Sequence, residues 1–360
     1  MRVAISQRRN RTTGIFRVLF LGSVVLICTL SHPVSSLADE ALELFNQAHA
    51  QIEKQHYEAA HQSLVAAIKL FPRFAEAHHL LGVVYFSGLN QANEAIASFK
   101  QAIAFYPSFA RAHHDLAVVY QHQQQFADAE ASFQKALELY PGFFEARISL
   151  ANLYHQTHRP KHAIGAFKAA LEIQPEHTDA LYKLAYWSYQ VGNVDQAGQA
   201  ASRIVEIDPQ HFAAWILLGQ IEEKSNHPSQ AIHAYQKALD LKGDLLDIRY
   251  TLGVLFQEQG NSRQAEQQFK EVIRLNPGDA EAHLNLGVIY ANMNRLDEAE
   301  QEYKRAIALN PKLVDAYYNL GVFYEFHRND AQKALVQYRE YVDQGGTDDR
   351  IKNLLEKTHR

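Results

Sequence analysis

A spacing of 34 residues constrains this chain more than any other feature. Prolines recur at Pro72, Pro107, Pro141, Pro175, Pro209, Pro277 and Pro311, with Gly243 at the one missing step, and every interval is 34 residues except the first, which is 35. The stretch 280–313 shows what lies between them. Ala282, Leu286, Ile289 and Met293 fall on one helical stripe, and Ala299, Tyr303, Ala306 and Ile307 fall on a second. The polar turn 294–297 between them is too short for anything but an antiparallel return, and Pro311 ends the second helix. Two short amphipathic helices have more apolar surface than they can bury against each other. The unit is therefore predicted to stack on copies of itself.

The copies are present. Counting from the first residue of each unit, the spacing predicts nine repeats: 41–74, 75–109, 110–143, 144–177, 178–211, 212–245, 246–279, 280–313 and 314–346. Position 8 is small throughout (Ala48, Gly82, Ala117, Ala151, Ala185, Gly219, Gly253, Gly287, Gly321) and position 20 is alanine, as a close approach of two helices requires. A larger side chain there would cost about 1–3 kcal/mol in overpacking. Aromatic residues fill the wider gaps at position 11 (Tyr85, Tyr120, Tyr154, Phe256, Tyr290, Tyr324) and at position 24 (Phe99, Phe133, Phe167, Tyr235, Phe269, Tyr303, Tyr338). Ser87-Gly88-Leu89-Asn90 reads as a turn lengthened by one residue.

This pattern resembles that of the tetratricopeptide repeat (TPR) family, which has a small residue at 8, aromatics at 11 and 24, alanine at 20 and proline near the end. The resemblance implies an all-α, right-handed α-solenoid of about nine helix-turn-helix repeats. Residues 347–360 are expected to form a C-terminal capping helix, with Thr347-Asp348-Asp349 as N-cap and first-turn acids and Ile351, Leu354 and Leu355 as its apolar stripe. The repeats are also similar to the TPR superhelix of O-linked GlcNAc transferases. That likeness covers the repeat region alone, and the asparagine ladder at position 6 of those enzymes survives only at Asn285 and Asn319.

Residues 1–38 do not follow the pattern. Five arginines (Arg2, Arg8, Arg9, Arg11, Arg17) precede the uncharged run 18–30, followed by Pro33, expected to break the helix, and by Ser36-Leu37-Ala38, which carries small residues where an export cleavage site needs them. A 13-residue helix spans about 20 Å of a roughly 30 Å hydrocarbon core. A cleaved export signal is the expected reading, with repeats in the periplasm or secreted, and an inner-membrane anchor over residues 15–34 is the alternative. Cys28 is the one cysteine of the chain, so cleavage after Ala38 leaves no disulfide or thiolate metal site. It also lowers Lys+Arg from 35 to about 30 against 40 acidic residues. A mature charge near −10 argues against nucleic acid or an anionic membrane as partner.

No phosphate-cradling glycine loop, H-E-x-x-H, G-x-S-x-G or cysteine nucleophile is present, so the chain reads as non-catalytic and without cofactor. In the TPR family the first helix of each repeat lines a concave groove through positions 2, 5, 9, 12 and 13. Mapped onto this chain, those positions hold Tyr182, Tyr186 and Tyr189, one turn apart in repeat 5, with Tyr250 and Tyr318 further along, Asn152, and acids at position 2 in six repeats. Tyrosines present large contact areas at low entropic cost, and a peptide or protein segment is the expected partner. The chain is rich in histidine, with 19, of which His79, His114 and His155 map to the same groove. They raise a second reading, a metal-binding or pH-responsive protein. A third is an accessory subunit that recruits substrates to a separate glycosyltransferase or polysaccharide-export machine. Position 5 carries no lysine, so the carboxylate clamp of chaperone-binding TPRs is not expected.

Overall fold

The computed structural model describes residues 33–358. Among them are 19 α-helices and no strand, the all-α class expected from the repeat. Residues 1–32, and with them the basic and apolar parts of the expected export signal, lie outside the described residues. No helix among the described residues is long and apolar enough to cross a membrane. The described residues divide into two compact units, the first ending at Phe105 and the second beginning at Tyr106.

The first unit contains α1 (Pro33–Glu53), α2 (Tyr57–Leu70), α3 (Ala75–Val83) and α4 (Ala92–Phe105). Pro33, expected to break a helix, is instead the first residue of α1, where its missing N–H costs no hydrogen bond. Ala48, Ala60, Leu64, Ala77, Leu80, Leu81 and Val84 form the buried core of this unit. The extra residue of the second repeat is taken up inside the helix. α3 continues as a π-helical turn, Val84–Gly88, in which Leu89 N–H bonds to Val84 O at 3.0 Å, and Asn90 then turns the chain at φ 55°. Gly88 lies so close to the Tyr57 ring that a Cβ would stand 2.3 Å from it.

The second unit runs as seven helix pairs and one more helix among the described residues. The pairs are α5 (Ala110–His122) with α6 (Phe126–Leu139), α7 (Phe144–Gln156) with α8 (Pro160–Leu171), α9 (Thr178–Gln190) with α10 (Val194–Ile207), and α11 (Phe212–Lys224) with α12 (Pro228–Leu241). They continue with α13 (Leu246–Glu258) and α14 (Ser262–Leu275), α15 (Ala280–Asn292) and α16 (Leu296–Leu309), and α17 (Val314–Phe326) and α18 (Ala331–Asp343), before α19 (Asp349–Thr358). One apolar cluster runs without a break from Ala231 on α12 to Leu355 on α19. Continuity of this kind is what lets pairs too small to fold alone share one interior.

The pairs from α5–α6 to α15–α16 are made by the same turn, whereas α17–α18 has one residue more, with Asn329 at φ 51° and Asp330 N–H bonded to Tyr324 O at 2.8 Å. At position 15 the backbone enters the left-handed region, as at Gln124 (φ 60°), Gly192 (φ 82°), Asn226 (φ 60°) and Asn294 (φ 59°). The next N–H reaches back to the carbonyl at position 11: Gln125 to Tyr120, Asn193 to Ser188, His227 to Glu222 and Arg295 to Tyr290, each at 2.8 Å. That is a Schellman closure, which satisfies the last carbonyls of the first helix and aims the second back along it. At the other end, a side chain at position 4 clips the carbonyl six residues earlier. His113 bonds to Pro107 O, Arg147 to Pro141 O, Trp215 Nε1 to Pro209 O and Tyr317 Oη to Pro311 O.

Candidate functional site

The first helices α7, α9 and α11 carry the polar and aromatic residues singled out in the sequence. Asn152 and His155 stand one turn apart on α7. Lys183 on α9 donates to Asn152 Oδ1 at 2.8 Å and to Asp179 Oδ2 at 2.9 Å, so one ammonium ties two helices together. Trp187 Nε1 donates to His155 Nδ1 at 2.9 Å. The His155 ring also meets Tyr186 edge-on at 6.2 Å. Burial, followed by the Lys183 and His158 charges, holds the His155 pKa below the usual imidazole value. The ring is therefore neutral at pH 7, with Nδ1 accepting from the indole.

Tyr182, Tyr186 and Tyr189 form one half-buried stripe along α9. Tyr182 stacks on His211 at 5.6 Å, Tyr186 packs edge-on against Trp187 at 5.2 Å, and Lys224 of α11 lies 4.6 Å above the Tyr189 ring. Burial and then the neighbouring Tyr186 raise the Tyr182 pKa, so the phenol stays protonated. None of the three hydroxyls bonds to another group among the described residues. This differs from the tyrosines that hold helices together: Tyr154 donates to Glu130 and Tyr324 to Glu300 of the preceding repeat, and Tyr235 to Glu223 of its own, each at 2.9 Å.

The other tyrosines and histidines mapped to the groove lie on the first helices of other repeats. Tyr250 on α13 accepts from Asn285 Nδ2 at 2.8 Å and lies against Phe269, and Tyr318 on α17 packs on Tyr341 at 5.4 Å. Both therefore join neighbouring helices. His79 faces the Phe99 ring in the first unit. His114 bonds to Asp115 Oδ1 at 2.8 Å and Ser149 Oγ at 3.2 Å, with Phe133 and Phe143 against its ring. Among the described residues no group of three or more His, Cys, Asp or Glu is arranged to hold a metal ion. The acids at position 2, Glu76, Glu145, Asp179, Asp247, Glu281 and Asp315, are exposed in the first turns of their helices, where the helix dipole favours them.

Trp187, Lys183, His211 and Lys224 complete this face and were not picked out by position. Trp187 sits at position 10 and Lys183 at position 6, outside the groove register. The available signal was the run Tyr186-Trp187-Ser188-Tyr189, which holds one of only two tryptophans in the chain.

Family models described as tetratricopeptide repeat match residues 45–108 and 250–313, 108–176, 156–221, 302–336 and 212–245, most of the chain between them. A search of curated proteins finds no match. Among solved structures, the C-terminal part of a TPR repeat-containing protein from Cytophaga hutchinsonii aligns with a TM-score of 0.58 at 12% identity, over 67% of this chain and 99% of that one. It is alike in fold. YrrB, described as a TPR protein with an unusual peptide-binding site, aligns at 25% identity and TM-score 0.47 over 54% of this chain and all of its own. MamA aligns at 24% identity and TM-score 0.44, over 47% of this chain and 92% of its own.

Proposed function

The chain belongs to the tetratricopeptide repeat family, and from that premise we propose that it is a non-catalytic scaffold that captures a peptide or protein segment on the face formed by α7, α9 and α11. Protein interaction is the general work of this fold. One observation carries the choice of face: three half-buried tyrosines on α9 whose hydroxyls no other group of the protein engages. Unpaired hydroxyls beside broad aromatic surface are what a partner's backbone can use, since each ring supplies contact area and each oxygen a hydrogen bond. Asn152, His155 and Lys183 form the polar edge of that face, and exposed Asp179 offers a carboxylate to a basic side chain.

We further propose, from the arginine-rich start and the Ser36-Leu37-Ala38 pattern, that the scaffold works outside the cytoplasm, in the cell envelope. N-terminal sequencing of the protein recovered from an envelope fraction tests this. A chain starting at Asp39 supports it, and an intact start in the cytosol refutes it.

The binding face is tested by Tyr182→Ala with Tyr186→Ala. Truncating two central aromatics should weaken capture of the main partner by about 10- to 100-fold in a pull-down or by calorimetry, with helical circular dichroism unchanged. Equal capture by the folded variant refutes the assignment.

A further inference from the structure

Repeat 6 lacks a structural group that repeats 4, 8 and 9 possess. In repeat 4, Tyr154 at position 11 lies between helices. Its hydroxyl donates to Glu130 of the preceding repeat at 2.9 Å, and Arg159 covers its ring at 4.6 Å while bonding to the same carboxylate at 2.5 Å. In repeat 8, Arg295 lies 4.1 Å above the Tyr290 ring and 2.9 Å from Glu266 of the preceding repeat. In repeat 9, Tyr324 donates to Glu300 at 2.9 Å beneath Lys333. Carboxylate, phenol ring and cation thus form a recurring set of three.

In repeat 6, position 11 is Glu222, the preceding repeat has Gly198 where Glu130, Glu266 and Glu300 stand, and His227 takes the place of Arg159 and Arg295. His227 Nδ1 lies 2.9 Å from Glu222 Oε2. A carboxylate and a base are therefore in place, and the ring is missing. Ser202 also replaces the long side chains of Gln134, Lys168, Lys270 and Lys304 at position 25. The result is an open cleft of about 320 Å³ between α10, α11 and α12, lined by Ser202, Leu218, Glu222, Ser229, Gln230, His233 and Ala234. A small residue at position 11 does not by itself open such a cleft, because Ser188 in repeat 5 is fully buried.

We propose that this cleft is a second binding site, separate from the α7–α9–α11 face, which takes a tyrosine side chain from a partner protein. The occupant is identified by the chain's own template. In repeats 4, 8 and 9 a tyrosine fills the corresponding place, and here the hydroxyl acceptor is Glu222, whose Oε1 has no partner among the described residues. The aliphatic walls, Leu218 and Ala234, receive the ring. Supplying in trans the group that every other member of the set supplies in cis completes the arrangement.

The test is a titration of the full chain with N-acetyl-tyrosinamide, followed by amide NMR. Shifts confined to the surroundings of Ser202, Gln230, His233 and Ala234, with a Kd of about millimolar, are expected for so small a probe. N-acetyl-phenylalaninamide should bind at least threefold more weakly, and N-acetyl-alaninamide should give no shifts. Glu222→Tyr with Gly198→Glu rebuilds the internal pair and should abolish the response. At Gly198 there is room, since an added Cβ would meet only Ile221 Cγ2 at 3.6 Å. Ser202→Lys, on a partly exposed helix face, tests the same point with one change and should reduce binding at least tenfold.

Equal responses to the tyrosine and alanine probes, or binding undiminished in both folded variants, would overturn the site. Tyrosine-bearing peptides selected from a random library should lose binding on Ser202→Lys and keep it on Tyr182→Ala, which distinguishes this cleft from the other face. Self-association in sedimentation that disappears on Ser202→Lys would overturn the partner assignment in favour of a second copy of this chain.

Discussion

In five of the nine repeats, glycine at position 8 is the residue on which the helix pair closes. A Cβ added at Gly287 would stand 2.8 Å from the Tyr303 ring, and at Gly219 and Gly321 2.5 Å from the rings of Tyr235 and Tyr338. Those aromatics are rigid and almost fully buried, so they cannot yield cheaply. Gly287→Ala should therefore destabilise by about 1–3 kcal/mol in denaturant unfolding. Gly165, in the middle of α8, has nothing within 4 Å of an added Cβ and no unusual φ. Gly165→Ala should stabilise by about 0.5–1 kcal/mol, through backbone entropy alone. The histidines teach a related lesson. His78 and His113 clip carbonyls, His177 and His211 accept from backbone N–H groups as helix N-caps, His61 bonds to Tyr85, and His283 to Glu302. In these six the ring donates or accepts as the position demands, a role that composition alone does not distinguish from metal binding.

At the scale of the element, the terminal helix shows how the array is closed. Asp348 Oδ1 accepts from Ile351 N at 3.2 Å as the N-cap of α19, and the Tyr341 hydroxyl accepts from the N–H groups of Thr347 and Asp348. Ile351 is fully buried and Leu355 nearly so, Leu354 packs half-buried against the same core, and the other residues of the helix are exposed. Removing residues 347–360 should uncover Tyr341 and its neighbours and cost about 3–6 kcal/mol, the worth of two buried aliphatic side chains. The melting temperature would fall, and capture on the α7–α9–α11 face would persist. The apolar stripe of α19 was legible in the sequence. The π-helical turn at Val84–Gly88 was not, because an extra residue can be absorbed in a loop or in a helix, and Gly88 under the Tyr57 ring decides for the helix.

For the whole molecule, acid is the condition that tests the contacts between repeats. Burial tends to raise the pKa of Glu130, Glu266 and Glu300, but hydrogen bonds from Arg159 and Tyr154, Lys270 and Arg295, and Lys304 and Tyr324 outweigh it, and all three end below the usual value of 4.5. A carboxylate whose folded pKa is depressed contributes stability that is present above its unfolded pKa and lost as pH falls through the folded one. His155, lowered from 6.5, has the same sign, since the folded state resists its protonation. Thermal melting points should hold near pH 7, begin to fall below about pH 6.5 and fall more steeply below about 4.5. Glu130→Gln with Glu266→Gln and Glu300→Gln should flatten the lower limb.

The sequence by itself determined the repeat, the helix pairs and the residues on which they close. Helix period, small residues at 8 and 20 and proline at 32 are local or near-local demands, and a pattern repeated nine times reports them nine times over. Only the tertiary structure decided which of the marked residues remain available. Tyr182, Tyr186 and Tyr189 keep free hydroxyls, while Tyr250 and His114, in the same register, are bonded to neighbouring repeats. The cleft at Glu222 likewise depends on Gly198 and Ser202 of the repeat before it. The physical reason is that availability depends on the side chain facing each residue across a repeat boundary, and that side chain lies outside the 34-residue unit in which the pattern is written.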